Sequence, residues 1–333
     1  MKRKGKIFIF FLLLSGVALI LVWGVNHPQN YSFLSSSSTL RPKSPNPKRN
    51  LVNNSSVNLL FLGIAGNGSR GALLTDTIFV THLDPEKKKI TLISIPRDLW
   101  VTENIYPEGI KINGLFELEN RGKQFSPYCS FHLIQKEVEK ILGIKIDYVI
   151  IFDLEGVEKL VDSIGGINIY LPQDIADPYL VNPHHPSEIF HLKAGWNYLD
   201  GALVAKFVRT RYAPSGDFYR IQHQHQIIAA LRDKVEQLTS VWHFPTWFKL
   251  WQSLKGHYLT NLNFNLAWQI FQSIKNIPAD KIQYLVLSNR PPDNLLISGR
   301  RLFQGKKVYV LLPRAGENNY LPIHNYIQEK ING

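Results

Sequence analysis

IFIFFLLLSGVALILVWGV, residues Ile7 to Val25, holds no charged residue, and this stretch limits what the rest of the chain can become. As a helix its nineteen residues span about 28 Å at ~1.5 Å per residue, close to the hydrocarbon thickness of a bilayer. A cleaved signal peptide usually has an apolar core of only about 7–15 residues, followed by a small-residue cleavage site. Here the run is longer and continues into Asn26-His27-Pro28, which favours an uncleaved transmembrane signal-anchor. Lys2, Arg3, Lys4 and Lys6 precede it. The positive-inside rule then keeps residues 1–6 in the cytoplasm and places everything after Val25 outside the cell membrane. Residues 26–56, which include SSSSTLRPKSPNPKRN, are rich in Ser, Pro, Asn and Lys without apolar periodicity. They read as a disordered linker, leaving residues 57–333 as an extracytoplasmic domain.

The formal net charge of +12 would suit a nucleic-acid partner, but its distribution does not. Residues 1–50 hold eight basic residues and no acid, so the remaining 283 residues carry only +4. Nucleic-acid binding needs a basic face on the folded part, and none is expected here. The single cysteine, Cys129, allows no internal disulfide.

Within the domain, NLLFLGI (58–64), DTIFVTHL (76–83) and KKITLISI (88–95) are rich in β-branched and aromatic residues and read as strands. The last two flank a short polar turn and should pair antiparallel. Ser126-Pro127 offers an N-cap and a first-turn proline for a helix through HLIQKEVEKIL, ended by Gly143. YVIIF (148–152) is a further strand, and Asp153 should cap a helix stopped by Gly165-Gly166. INIYL continues as a strand. Helices are expected over 201–207, from Asp217 to about Leu238, near 241–255, over 264–275 and from about 319. Strands are expected near 282–287 and 307–312. Interleaved strands and helices predict a three-layer α/β/α domain with a mixed central sheet.

Four polar clusters fall at element edges. Gly66, Gly68 and Gly71 match G-x-G-x-x-G, but Thr77-Ile78-Phe79-Val80 follows as a strand. A dinucleotide site requires a helix there, so a loop leading to Asp76 is the better reading. Arg97 and Asp98 follow Pro96 at the end of an apolar strand. In V-R-T-R, Arg209 and Arg211 share a face if the segment is extended; two adjacent guanidiniums call for an anion between them, and their forks match phosphate oxygens. In GDFYRIQHQHQ, Asp217, Arg220 and Gln224 share one helix face. His223 and His225 point about 200° apart on a helix, which argues against joint chelation, and His184-His185 sits in a proline-flanked loop. Arginines together with aspartates able to hold a divalent cation are the parts phosphoryl transfer requires.

NLLFLGI, LTDTIFV, ITLISIPRDLWV, KIN, LVDSIGGINI, LDGALVAKFVRTR and GDFYRIQHQ follow one another in an order that resembles the LytR-CpsA-Psr family over about residues 57–330. The resemblance implies a phosphotransferase. Such an enzyme moves a glycopolymer phosphate from a polyprenyl-diphosphate lipid carrier to peptidoglycan in cell-wall assembly, uses Mg²⁺, and releases polyprenyl phosphate. It implies that Arg97, Arg209 and Arg211 hold the diphosphate and that Asp76 binds the metal. Gln224 would reach a phosphate oxygen, Asp217 and Arg220 would complete the pocket, and Lys111 and Asn113 match a family stretch of undefined role. The lipid tail would lie in an apolar tunnel between sheet and helices. Asp98 or Asp217 would take the proton of the attacking hydroxyl. Ala65, Leu74 and His223 depart from the Asp, Arg and Arg that many relatives carry, which leaves fewer carboxylates for the metal. Two other readings stay open: a polyprenyl-diphosphate hydrolase with water as acceptor, and a non-catalytic lipid-binding regulator.

Overall fold

In the computed structural model, which describes residues 56–103, 105–211, 217–238, 254–274 and 277–333, the three apolar segments lie side by side. The expected anchor over residues 7–25, residues 1–6 expected in the cytoplasm, the expected linker up to residue 55 and the expected helix near 241–255 up to residue 253 fall outside the described residues.

The chain enters through β1 (Val57–Ile64), β2 (Thr75–Asp84) and β3 (Lys89–Ser94), then a hairpin of β4 (Trp100–Glu103) and β5 (Tyr106–Lys111). Helices α1 (Leu115–Glu119) and α2 (His132–Leu142) lead to β6 (Tyr148–Asp153), α3 (Leu154–Ser163) and β7 (Ile167–Leu171). Next come β8 (Ile175–Val181), β9 (Ile189–Leu192), β10 (Gly195–Leu199), α4 (Gly201–Phe207) and the long α5 (Asp217–Leu238). The last part comprises β11 (Tyr258–Thr260), α6 (Phe264–Ile274), β12 (Ile282–Val286), β13 (Leu296–Phe303), β14 (Lys306–Pro313) and α7 (Leu321–Asn332).

The central sheet has the order β11-β6-β1-β2-β3-β12. β1 runs parallel to β6 and β3 parallel to β12, while β2 is antiparallel to both of its neighbours. It is a mixed sheet, as expected. Along β1, Leu60, Leu62 and Ile64 join a cluster with Ile134 and Val138 of α2 and Ile323 and Ile327 of α7. Leu59 and Phe61 instead join Leu266, Ala267 and Ile270 of α6. Burial on both faces is why these strands read as continuous apolar runs rather than alternating ones. A third cluster, from Leu160 to Leu254, packs α3, α4 and α5 with the antiparallel pair β7 and β10.

The carboxyl ends of β1, β3, β6 and β12 all reach one sheet edge, because Ile64 pairs with both Thr75 and Asp153 and Ser94 pairs with Val286. That is where open α/β sheets place their sites. Asp153 caps α3 as read, accepting from the Gly156 N–H at 2.8 Å. The start of α2 differs from expectation. Ser126 closes a turn to Cys129, and the helix begins at His132 without a side-chain cap from its own N-cap residue. Glu119 of α1 supplies the acceptor instead, to the Leu133 N–H at 3.1 Å and the Ser130 hydroxyl at 2.5 Å. A cap donated by another helix leaves no local sequence signature.

Candidate functional site

β3 stops where Pro96 withholds an N–H from the ladder; Ile95 still donates to the Ile78 carbonyl at 2.9 Å. The next residues are held from two sides. Leu311 N–H donates to the Asp98 carbonyl at 2.9 Å, and Ile112 N–H to the Leu99 carbonyl at 2.8 Å. Asn113 joins two parts of the site through its backbone: its N–H donates to the Arg97 carbonyl at 3.4 Å and its carbonyl accepts from Thr75 Oγ1 at 3.2 Å. Asp76, next to Thr75, therefore faces Arg97.

Arg97 Nη1 donates to Asp76 Oδ1 at 2.6 Å, and Arg97 Nε lies 3.0 Å from Asp217 Oδ1 and 4.0 Å from Asp98 Oδ2. Lys111 Nζ donates to Asp98 Oδ1 at 2.5 Å. Arg220, only 2% exposed, donates through Nη2 to the Asp76 backbone carbonyl at 2.8 Å and to Asp217 Oδ2 at 3.1 Å. Six predicted residues thus meet: Asp76, Arg97, Asp98, Lys111, Asp217 and Arg220. Gln224 follows Arg220 by one turn on α5 and is half-buried.

The V-R-T-R segment is not extended. Val208 keeps helical angles at the end of α4, and Arg209 and Thr210 donate back to Lys206 and Phe207, which makes a turn. The two arginines therefore separate. Arg209 is exposed, and its charge reaches Glu158. Arg211 turns toward the cluster, where its charge reaches Asp76 and Arg220. Its N–H donates to Asp177 Oδ2 at 3.2 Å.

Electrostatics distinguish the members. Burial alone would raise the Asp76 carboxyl, but Arg97, Arg220 and Arg211 outweigh it and hold it below the usual carboxylate range. Burial opposes the charge on Arg97 as well, yet Asp76 and Asp217 win and raise its guanidinium. Arg220 is pushed down to about 10, first by burial and then by the nearby Arg97. Arg211, although largely exposed, is lowered by burial of its guanidinium and by Arg97. In two of the three arginines, burial and the neighbouring guanidinium thus outweigh the nearby carboxylates. Arg97 Nε, Arg220 Nε and Asp217 Oδ1 are buried with no hydrogen-bond partner. The 3.0 Å approach of Arg97 Nε to Asp217 is thus an ion pair whose N–H is misaligned. Donors of this kind suit an anion with several oxygens.

Asp177, Thr210 and Ser94 also touch these segments, through the Arg211 N–H, His223 and His225 respectively. They were not singled out in the sequence, where the two histidines were weighed only as a metal pair and His223 as a departure from the arginine of many relatives. Thr210 carried the one available signal, lying between two arginines of interest. Asp177 carried none.

The LytR_cpsA_psr family profile matches residues 29–312. Regulatory protein MsrR of Staphylococcus aureus (strain COL) is 28% identical over 212 residues, 63% of this chain and 58% of MsrR. The chain thus spans less than two thirds of that relative. The polyisoprenyl-teichoic acid--peptidoglycan teichoic acid transferase TagV of Bacillus subtilis (strain 168) is 25% identical over 334 residues, 96% of this chain and 78% of TagV. Among solved structures, B. subtilis TagV superposes with a TM-score of 0.61 at 22% identity, covering 84% of this chain and 98% of that one. TagT bound to LI-WTA gives 0.59 at 19% identity, covering 87% and 94%. At these identities the superpositions speak for the fold alone.

Proposed function

Because the chain belongs to the LytR_cpsA_psr family, we propose that it transfers a glycopolymer phosphate from a polyprenyl-diphosphate carrier to peptidoglycan. The observation that carries this reading is the cluster of Arg97, Arg211 and Arg220 at the carboxyl edge of the sheet, in which Arg97 Nε and Arg220 Nε are buried without a hydrogen-bond partner. TagV, named as a transferase of this kind, supports it.

In the proposed reaction a sugar hydroxyl of the acceptor attacks the phosphorus that bears the glycopolymer. One P–O bond forms, the bond to the bridging oxygen breaks, and polyprenyl phosphate leaves with the electron pair. Arg97, Arg211 and Arg220 hold the equatorial and leaving oxygens, with Gln224 donating from one turn further along α5. Asp98 and Asp217 are the two carboxylates offered for the hydroxyl proton. Lys111 fixes Asp98 by the 2.5 Å contact. No nucleotide is required, since the diphosphate is already activated.

Among the described residues no group of three His, Cys, Asp or Glu side chains converges as a metal site. Asp76 is the carboxylate available, with Ala65 where many relatives place a second. Mg²⁺ is commonly held by one or two carboxylates, with phosphate oxygens and water completing the shell, so Asp76 fits the ion in that manner. Bound there, Mg²⁺ would neutralise charge on the diphosphate. Among the described residues no helix is long and apolar enough to cross a membrane; anchoring by residues 7–25 with the domain outside is part of the proposal. Protease added to intact spheroplasts should digest the domain, and full protection would sink that placement.

The test of the reaction is product analysis with a lipid-linked glycopolymer and peptidoglycan oligomers, with and without Mg²⁺. Phosphodiester-linked product that requires acceptor supports transfer. Release of glycopolymer phosphate to water alone makes the protein a hydrolase, and lipid binding without turnover makes it a regulator.

A further inference from the structure

The two histidines of α5 do not meet at a metal; each bonds a different arginine-bearing segment. His223 is 2% exposed, and its Nδ1 lies 2.6 Å from Thr210 Oγ1. It is sandwiched by Phe207 (4.2 Å between ring centroids, 22° between planes) and Tyr219 (4.1 Å, 61°). Thr210 Oγ1 already donates to the Phe207 carbonyl at 2.7 Å. A hydroxyl has one proton, so the His223 contact runs from Nδ1–H to the Thr210 oxygen. Thr210 is the residue between Arg209 and Arg211.

On the other side of the helix, His225 Nε2 lies 2.9 Å from Ser94 Oγ, and its ring packs on Tyr284 of β12 at 5.0 Å. Ser94 is the last residue of β3, three before Arg97. Between these two contacts the same helix carries Asp217 and Arg220, and Arg220 reaches the Asp76 carbonyl at 2.8 Å. Burial pushes both imidazoles down to about 4, so both are uncharged at neutral pH and act as hydrogen-bonding groups rather than cations.

We propose that His223 and His225 are positioning residues: they tie α5 to the Arg211 turn on one side and to the Arg97 strand end on the other, and so set the spacing of Arg97, Arg211 and Arg220. The i, i+2 spacing is what this requires, since positions about 200° apart on a helix face two different neighbours. His223 stands where many relatives are expected to carry arginine; here that position holds the turn through an uncharged ring. The tie itself does not depend on the substrate, whereas its effect on diphosphate binding rests on the reading above.

The experiment uses the full chain in detergent and two readouts. Amide hydrogen exchange tests the ties directly. His223→Leu should speed exchange by about tenfold or more in residues 207–211 and leave 94–99 within about twofold; His225→Leu should do the reverse. Farnesyl diphosphate titrated by calorimetry tests the consequence. Each leucine variant should weaken binding by about tenfold. His223→Asn, whose amide sits where Nδ1 was, and His225→Gln, whose amide sits where Nε2 was, should recover to within about threefold. His223→Leu should add nothing to Arg211→Ala, yet should add in full to Arg97→Ala. Uniform exchange changes in both segments, or no change, would overturn the proposal. So would parent-like binding by the leucine variants, or losses fully additive with Arg211→Ala. Should the parent protein fail to bind farnesyl diphosphate, the substrate reading falls and hydrogen exchange alone decides the ties.

Discussion

β3 and β6 end at the same sheet edge, each an apolar strand that delivers charge at its tip, Arg97-Asp98 just beyond Ser94 and Asp153 as the last residue of β6, and the two tips have opposite fates. At the tip of β6, Asp153 accepts from the Gly156 N–H at 2.8 Å and pairs with His257 Nδ1 at 3.0 Å. Its lone pairs are used locally, the Gly66 loop packs against its Cβ, and burial raises its carboxyl. Helix capping accounts for this tip fully. At the tip of β3, Arg97 meets carboxylates from β2 and α5, while donors on Arg97 and Arg220 stay buried without partners. A charged residue at a strand end is therefore not a sign of function by itself. Unused hydrogen-bonding capacity, gathered from several segments, is the distinguishing feature.

The largest expected effect concerns the second tip. Arg220→Leu removes the most buried cation facing Asp76 and Asp217 and leaves them Arg97 and the more distant charge of Arg211, and breaking a buried pair by removing one partner costs about 3–5 kcal/mol. Urea unfolding measures this; a loss under ~1 kcal/mol would mean the cluster is not coupled to the fold. Arg97→Lys keeps the charge and loses the bidentate fork. Transfer should fall by well over tenfold at a nearly unchanged melting temperature, and a fully active variant would make the β3 tip as structural as the β6 tip. Arg211→Ala should lower affinity for the lipid diphosphate by roughly tenfold or more, a charged hydrogen bond being worth about 1.5–3 kcal/mol. Arg209→Ala, beside Glu158, should cost less than about threefold. Equal losses would place Arg209 in the clamp after all.

At the β6 tip, Asp153→Ala should cost about 1 kcal/mol, the typical value of an N-cap, whereas Asp153→Asn keeps an acceptor and should cost a few tenths. Either result can be read from denaturant midpoints. The smallest effect is a difference in sign. Asp76 has a folded pKa below the ordinary 3.8 of an aspartate, so its contribution is present above that value and is lost as pH falls through the folded one. Asp153 has a folded pKa above 3.8, so acidification through that higher value toward 3.8 favours folding. Compared with the parent, Asp76→Asn should soften the acid loss and Asp153→Asn should steepen it. Slopes of the same sign would erase the electrostatic contrast between the tips.

Much of this was readable locally. Continuous apolar runs announced strands buried on both faces, Asp153 announced a helix start, and Pro96 announced a strand end. The spacing of Asp217, Arg220 and Gln224 placed them on one helix face. Each of these depends on backbone geometry within a few residues, which is why the chain's own order of residues settles it. The site itself could not be settled that way. Asp76 meets Arg97 through the antiparallel β2–β3 pair that the short polar turn announced, but Arg220 reaches Asp76 across 144 residues of sequence. The cap given to α2 by Glu119 and the two histidine ties likewise depend on partners outside the local turn. Hydrogen bonds and ion pairs act over a few ångströms of space, and sheet order and helix packing decide which distant residues come within that range.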